Sequence, residues 1–163
     1  MSRYFCSFIL LAFLGSCTQT LLDGNPDSRV VDFNVHGKVL IVEAVVNGKT
    51  AKFLIDTGAS VSILDINQTK RYGLEVYQSN DAGVVGLGGN EKLMEIKNIM
   101  FNFKGEQPKR YYSFYGLDLK KLNYKMSADG IKILGILGSD FLYKKGAIIN
   151  YQRELLYLTH NSN

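Results

Sequence analysis

The 163-residue chain has no tryptophan, two prolines, two cysteines and two histidines, and each scarcity closes off a class of protein. So few cysteines supply no framework for a disulfide-stapled fold. His36 and His160 stand at opposite ends of the body, without partners at helix or hairpin spacing, so no metal site is expected. No nucleotide cofactor is expected either, because Gly86-Leu87-Gly88-Gly89-Asn90-Glu91 lacks the last glycine of a dinucleotide-binding turn. Neither charge sign dominates: 19 Lys and Arg stand against 15 Asp and Glu, for a formal net charge of +4. Nucleic-acid binders usually exceed so mild an excess and gather it on one face, so no nucleic-acid partner is expected. With 46% hydrophobic and 21% charged residues, the chain sits outside the disordered and fibrous classes. What remains is rich in sixteen glycines, ten tyrosines and nine phenylalanines, a mixture that suits short strands joined by glycine turns. One mainly β domain is the expectation at this length.

An apolar run, Tyr4 to Leu14, is preceded by Arg3 as its only charge and followed by Gly15-Ser16-Cys17, which is the grammar of an export signal. As a helix such a run rises only about 16 Å, roughly half the hydrocarbon thickness of a bilayer, too short for an ordinary span. Leu14-Gly15-Ser16-Cys17 resembles the bacterial lipobox. The resemblance implies cleavage before Cys17, loss of Cys6 with the signal, and acylation of Cys17. Residues 1–16 are then a signal peptide, 17–29 a lipid-anchored tether and 30–163 the folded domain. The implied location is the bacterial cell envelope, on its periplasmic or its surface face.

Within the body, Val39 to Val46 and Ala51 to Ile55 flank Asn47-Gly48, a pair tolerant of positive φ, and predict a hairpin with a type I′ turn. Asp65 is expected to cap a short helix through Tyr72, stopped by Gly73. Leu93 to Phe103 and Tyr111 to Tyr115 read as strands, and Leu117 to Asn123 as a helical turn. Ile131 to Leu137 reads as a buried run ending at Gly138. Ser139 or Asp140 opens a short helix through Tyr143, and Ala147 to Tyr151 with Leu155 to Leu158 forms a last hairpin. Asp140 is assigned to the helix cap and left out of the site.

A polar loop, Asp56-Thr57-Gly58-Ala59-Ser60, follows Phe53-Leu54-Ile55 directly, and about eighty residues later comes Ile136-Leu137-Gly138. Between them lies the glycine-rich Val85-Gly86-Leu87-Gly88-Gly89. These three features, in this order, resemble the retropepsin-like (clan AA) aspartic proteases. The resemblance implies a single closed β-barrel domain with one or two short helices. Asp56, Thr57 and Gly58 would be the catalytic loop, and Gly86, Leu87, Gly88 and Gly89 the substrate-binding flap. Ala59, Ile136, Leu137 and Gly138 would support the loop.

Amide hydrolysis without a metal needs one group to activate water and another to protonate the leaving nitrogen. Two carboxyls sharing one proton do both. The chain carries only one Asp-(Thr/Ser)-Gly, so a two-fold homodimer is expected to bring two Asp56 side chains together on a polypeptide substrate. The rival expectation is a non-catalytic lipoprotein that uses the same fold to bind a peptide or protein partner.

Overall fold

The computed structural model describes residues 28–78, 84–86, 89–91, 93–111 and 114–159. The expected signal, residues 17–27 of the expected tether with Cys17, and His160 therefore lie outside the described residues, as do Leu87 and Gly88 of the expected flap, whereas Ser28 and Arg29 of that tether are described and lie in a strand.

The chain opens with an antiparallel meander of β1 (Ser28–His36), β2 (Val39–Val46) and β3 (Lys49–Ile55). Ser28 and Arg29, expected in the tether, are already paired strand within β1, opposite Thr159 and Leu158. Asn47 and Gly48 turn the hairpin with φ of 47° and 77°, the two positive values a type I′ turn requires. The Asn47 side chain also fastens this turn to its neighbours. Its Oδ1 accepts the Met100 amide at 2.7 Å, and its Nδ2 donates to Tyr72 O at 2.8 Å and Asn98 O at 2.9 Å.

β4 (Ser62–Asp65) leads to a single helical turn, α1 (Thr69–Tyr72), ended by Gly73 at φ 64°. The helix is shorter than expected because Asp65 ends the strand: its carboxyl is buried and bonded across the fold, so it does not cap. β5 (Glu75–Gln78), β6 (Val84–Gly86), β7 (Gly89–Glu91), β8 (Met94–Lys97) and β9 (Ile99–Asn102) follow. The single strand expected from Leu93 to Phe103 is broken at Asn98, which takes φ 61° and donates from Nδ2 to Glu75 Oε1 at 2.7 Å. Asparagine tolerates this left-handed conformation because its short amide bonds locally.

β10 (Lys109–Tyr111) and β11 (Phe114–Leu117) precede α2 (Lys120–Met126), which runs on into a 3-10 turn at Ser127–Asp129. Leu117 therefore closes a strand instead of opening a helix. β12 (Gly135–Leu137), α3 (Ser139–Lys144), β13 (Ile148–Asn150) and β14 (Leu155–Thr159) complete the described chain.

Among the described residues, twelve strands join in the order β13-β14-β1-β2-β3-β12-β4-β11-β8-β5, with β9 and β10 branching from β2, while β6 and β7 pair separately. The architecture is the expected mainly β one, but the sheet does not close. Its path ends at β13 and at β5, whose four residues all count as exposed. β2 is the branch point: β1 pairs with Val39 to Val42, whereas β9 pairs with Val45 and Val46.

Both faces of the β2–β3 hairpin are covered over residues 39–42 and 53–55, which explains the continuous apolar sequence of those stretches. Leu40, Val42, Phe53 and Ile55 face the larger core, where Phe101 packs against Phe53, Phe103 and Phe141 at centroid distances of 5.3–5.5 Å, all edge-on. Ile41 and Leu54 face the opposite way, into a second core with Leu119, Met126, Ile131, Ile133 and Ile136. No helix among the described residues is long and apolar enough to cross a membrane.

Candidate active site

The site grows from the parallel pairing of β3 with β12. Phe53, Leu54 and Ile55 lie opposite Gly135, Ile136 and Leu137, and the Asp56 amide extends the ladder by donating to Leu137 O at 3.0 Å. Glycine at 135 lets β12 fit between β3 and the neighbouring β4, since a Cβ there would sit 2.2 Å from Ile63 O of β4. The two hydrophobic segments found far apart in sequence are thus direct neighbours.

Beyond Ile55 the chain turns back on the Asp56 side chain. Asp56 Oδ1 accepts the Gly58 amide at 2.9 Å, and Asp56 O accepts the Ala59 amide at 3.2 Å. This is an Asx-type turn, built by a carboxyl bonding the backbone two residues on. Asp56 itself is half-buried, while Thr57, Gly58 and Ser60 are exposed. The carboxyl is held at a surface and is not enclosed in its own chain.

A second set of bonds clamps the far side of the loop. Ser139 donates to Ala59 O twice, from its amide at 2.7 Å and from Oγ at 2.9 Å. The Gly138 amide donates to Ser62 Oγ at 2.9 Å, and Ser62 Oγ donates to Asp140 Oδ1 at 2.7 Å. Gly138 lies so close to the loop that a Cβ would meet Val61 O at 2.6 Å. Ala59, Ile136, Leu137 and Gly138 are therefore gathered around Asp56, Thr57 and Gly58.

Of the flap residues, Gly86 and Gly89 face each other as the last pair of the β6–β7 hairpin. His36 is exposed at the end of β1, and no group of three or more His, Cys, Asp or Glu able to hold a metal forms among the described residues.

The sequence reading missed Ser62, Ser139 and the bonding role of Asp140. Asp140 lies in the first turn of α3 but makes no cap: Gly138 is the N-cap, and the Asp140 carboxylate instead accepts from Ser62 and from the Phe141 amide at 2.7 Å. A faint signal existed, since Ser62 and Asp140 are polar residues set in apolar runs.

It also missed a buried polar hub at Asp65, which is only 2% exposed. Asp65 Oδ1 accepts from the Asn67 amide at 3.1 Å, Asn67 Nδ2 at 2.8 Å and the Leu119 amide at 3.3 Å. Oδ2 accepts Gln68 Nε2 at 3.0 Å and Asn123 Nδ2 at 2.9 Å. The hub fixes α2 beside the second core, whose half-buried rim includes Val39, Ala59, Ile63 and Leu122. An apolar rim therefore lies next to the Asp56 loop.

The family described as Aspartyl protease matches residues 42–141, more than half of the chain. No curated protein matches it. Among solved structures, the chain is similar to the EIAV protease complexed with the inhibitor HBY-793, at 24% identity, covering 72% of this chain and 97% of that one with a TM-score of 0.51. A retropepsin-like aspartic protease from Rickettsia conorii is 18% identical, with coverage of 80% and 89% and a TM-score of 0.50. The retroviral protease-like domain of Ddi1 from Leishmania major is 22% identical, with coverage of 77% and 90% and a TM-score of 0.51. The chain, with its Asp-Thr-Gly loop packed on β12, belongs to the aspartyl protease family and has the retropepsin-like fold.

Proposed function

We propose that this protein is an aspartic endopeptidase whose working unit is a homodimer, with the two Asp56 carboxyls meeting across the two-fold axis. The observation that carries the reading is the exposure of Thr57 and Gly58 beside a half-buried Asp56: one chain holds a preorganised half-site at its surface.

In the paired site the two carboxyls hold a single proton, because two like charges in contact cannot both ionise. The ionised Asp56 removes a proton from a water lying between them as that water attacks the peptide carbonyl. The protonated Asp56 stabilises the developing oxyanion by donating a hydrogen bond. The proton gained from water is then given to the leaving nitrogen as the tetrahedral intermediate collapses, which regenerates the shared-proton pair. Thr57 meets its counterpart in the partner loop, and Gly58 keeps the turn tight enough to present both carboxyls. The glycine flap from Gly86 to Gly89 closes on an extended polypeptide, offering it strand-like main-chain bonds. The rim of Val39, Ala59, Ile63 and Leu122 receives apolar side chains of that polypeptide.

Acylation of Cys17 tethers the enzyme in the bacterial envelope, where its substrates are exported or envelope polypeptides. The lipobox-like Leu14-Gly15-Ser16-Cys17 supports this placement.

The test uses the full chain with a peptide library. Asp56→Asn is expected to lower cleavage by at least about a thousandfold, the scale of losing acid–base catalysis, with an unchanged circular dichroism spectrum. With the chain in detergent, away from vesicles, dilution of the wild type is expected to lower the rate per chain, since each site needs two copies. Unchanged turnover in Asp56→Asn, or a rate per chain independent of dilution, removes the proposal.

A further inference from the structure

We infer that Asp140 is a positioning residue for Asp56, acting through the hydroxyl of Ser62 and the amide of Gly138. The inference rests on the protease reading for its kinetic consequence, but its structural content stands on the bonds alone.

Ser62 is 1% exposed and has one hydroxyl proton to place. Its oxygen lies 2.7 Å from Asp140 Oδ1 and 2.9 Å from the Gly138 nitrogen. An amide nitrogen only donates, so the Ser62 proton must point to Asp140 and a lone pair to Gly138. The Asp140 carboxylate thereby fixes which way the hydroxyl is turned. With that acceptor removed, the hydroxyl is free to rotate, and the Gly138 amide no longer faces a committed acceptor.

Gly138 is the residue through which this matters. The preceding carbonyl, Leu137 O, holds the Asp56 amide at 3.0 Å, and the following residue, Ser139, holds Ala59 O from two donors. Residues 137–139 thus grip both ends of the Asp56–Ala59 turn, and the Ser62–Asp140 pair sets the middle of that grip. Phe141, whose amide also donates to Asp140 Oδ1 at 2.7 Å, is buried in the larger core and anchors the carboxylate from behind. A loop that must align two carboxyls with one water gains from such anchoring, because small misplacements of reacting groups are costly.

The experiment compares Asp140→Ala, Asp140→Asn, Ser62→Ala and the double variant Asp140→Ala/Ser62→Ala in the full chain. Asp140→Ala is expected to lower kcat about tenfold to a hundredfold while KM moves less than about threefold. Asp140→Asn retains the Oδ1 acceptor and is expected to restore most of kcat. Ser62→Ala should match Asp140→Ala, and the double variant should be no worse than either single one, because both break one relay. A silent Ser62→Ala, or losses that add, overturns the inference.

Amide hydrogen exchange gives a readout that does not need activity. In Asp140→Ala the Gly138 and Asp56 amides are expected to exchange at least about tenfold faster while those of Val42 and Phe53 stay as in the wild type. Exchange unchanged at Gly138 and Asp56 overturns the relay whatever the activity. A wild type that cuts no peptide, with the exchange difference present, overturns the protease reading and sustains the relay.

Discussion

Replacing Asp65 by asparagine tests the buried hub with almost no change of shape. The carboxyl takes five hydrogen bonds, all from neutral N–H groups of Asn67, Gln68, Leu119 and Asn123. Asparagine supplies one oxygen and one NH2 group, so one side of the hub must present donors to donors. If the oxygen keeps the Asn67 and Leu119 side, the NH2 group faces Gln68 Nε2 and Asn123 Nδ2, which lie 3.0 and 2.9 Å from Oδ2. Two bonds to a carboxylate are worth about 1.5–3 kcal/mol each, a gross loss of about 3–6 kcal/mol. Relief comes from Ile133 O, which already accepts Gln68 Nε2 at 2.6 Å and Asn123 Nδ2 at 3.1 Å, so neither amide is wholly orphaned. The lower end is therefore expected, about 3 kcal/mol or a Tm drop of about 10 °C for a domain of this size. Urea unfolding and calorimetry at neutral pH measure it. A loss under about 1 kcal/mol refutes the reasoning, since it means that the hub is open to water or that its bonds are not made.

Gly135→Ala places a Cβ 2.2 Å from Ile63 O, a backbone atom that cannot swing away, and is expected to destabilise the β3–β12–β4 pairing by about 3 kcal/mol or more, read as a shift of the urea midpoint. The Asp118 carboxyl is held below the usual aspartate range, first by the Lys120 amide and then by Asn67. A lowered folded-state value stabilises above the ordinary aspartate pKa and is lost as pH falls through the depressed one, so the Lys120 amide resonance should shift in that acid window and stay flat in Asp118→Asn. The Tyr77 hydroxyl donates to Glu75 Oε2 at 2.5 Å, which raises its pKa above 10.0, chiefly through that bond and the adjacent negative charge. Its contribution is complete below the ordinary tyrosine value and lost as pH climbs through the raised one; ultraviolet difference titration of wild type against Glu75→Gln should show a late phenol that the substitution returns to the normal range.

The parts legible in the sequence are those whose chemistry is local. Asn47-Gly48 announces a turn because two adjacent residues accept positive φ, and Gly73 ends α1 for the same reason. The β3–β12 pairing was accessible through a resemblance, since two apolar segments eighty residues apart carry no pairing signal of their own. Polar side chains with distant partners were not legible. Asp65 looks like a helix cap until Leu119 and Asn123 are placed beside it, and Asp140 looks like one until Ser62 arrives from the other end of the chain. The strand break at Asn98 similarly depends on Glu75, which offers its carboxylate only after β5 pairs with β8. In each case the residue type permits several roles, and tertiary neighbours choose among them.

The way the described ends of the chain are used bears on how two copies would meet. β1 pairs with β14 over five register positions, from Ser28 opposite Thr159 to Asp32 opposite Leu155, and β14 also pairs with β13. Among the described residues these strands pair within a single chain, with one edge of β13 left open at the end of the sheet, and the aromatic core around Phe101 is built from residues of that same chain. On that pairing, folding of one copy is expected not to wait on association, whereas the proposed chemistry does. A weak dimer would suffice under those conditions, because stability would come from the monomer and only the proposed site would demand pairing. Tethering through Cys17 would favour that pairing further by confining copies to a surface, which raises their effective concentration without any new contact. On the proposed reading, cleavage by the full chain on vesicles should outlast dilution that silences the same chain in detergent, while the unfolding midpoint stays the same at both concentrations. A midpoint that falls with dilution alongside activity would show instead that the fold itself depends on the partner.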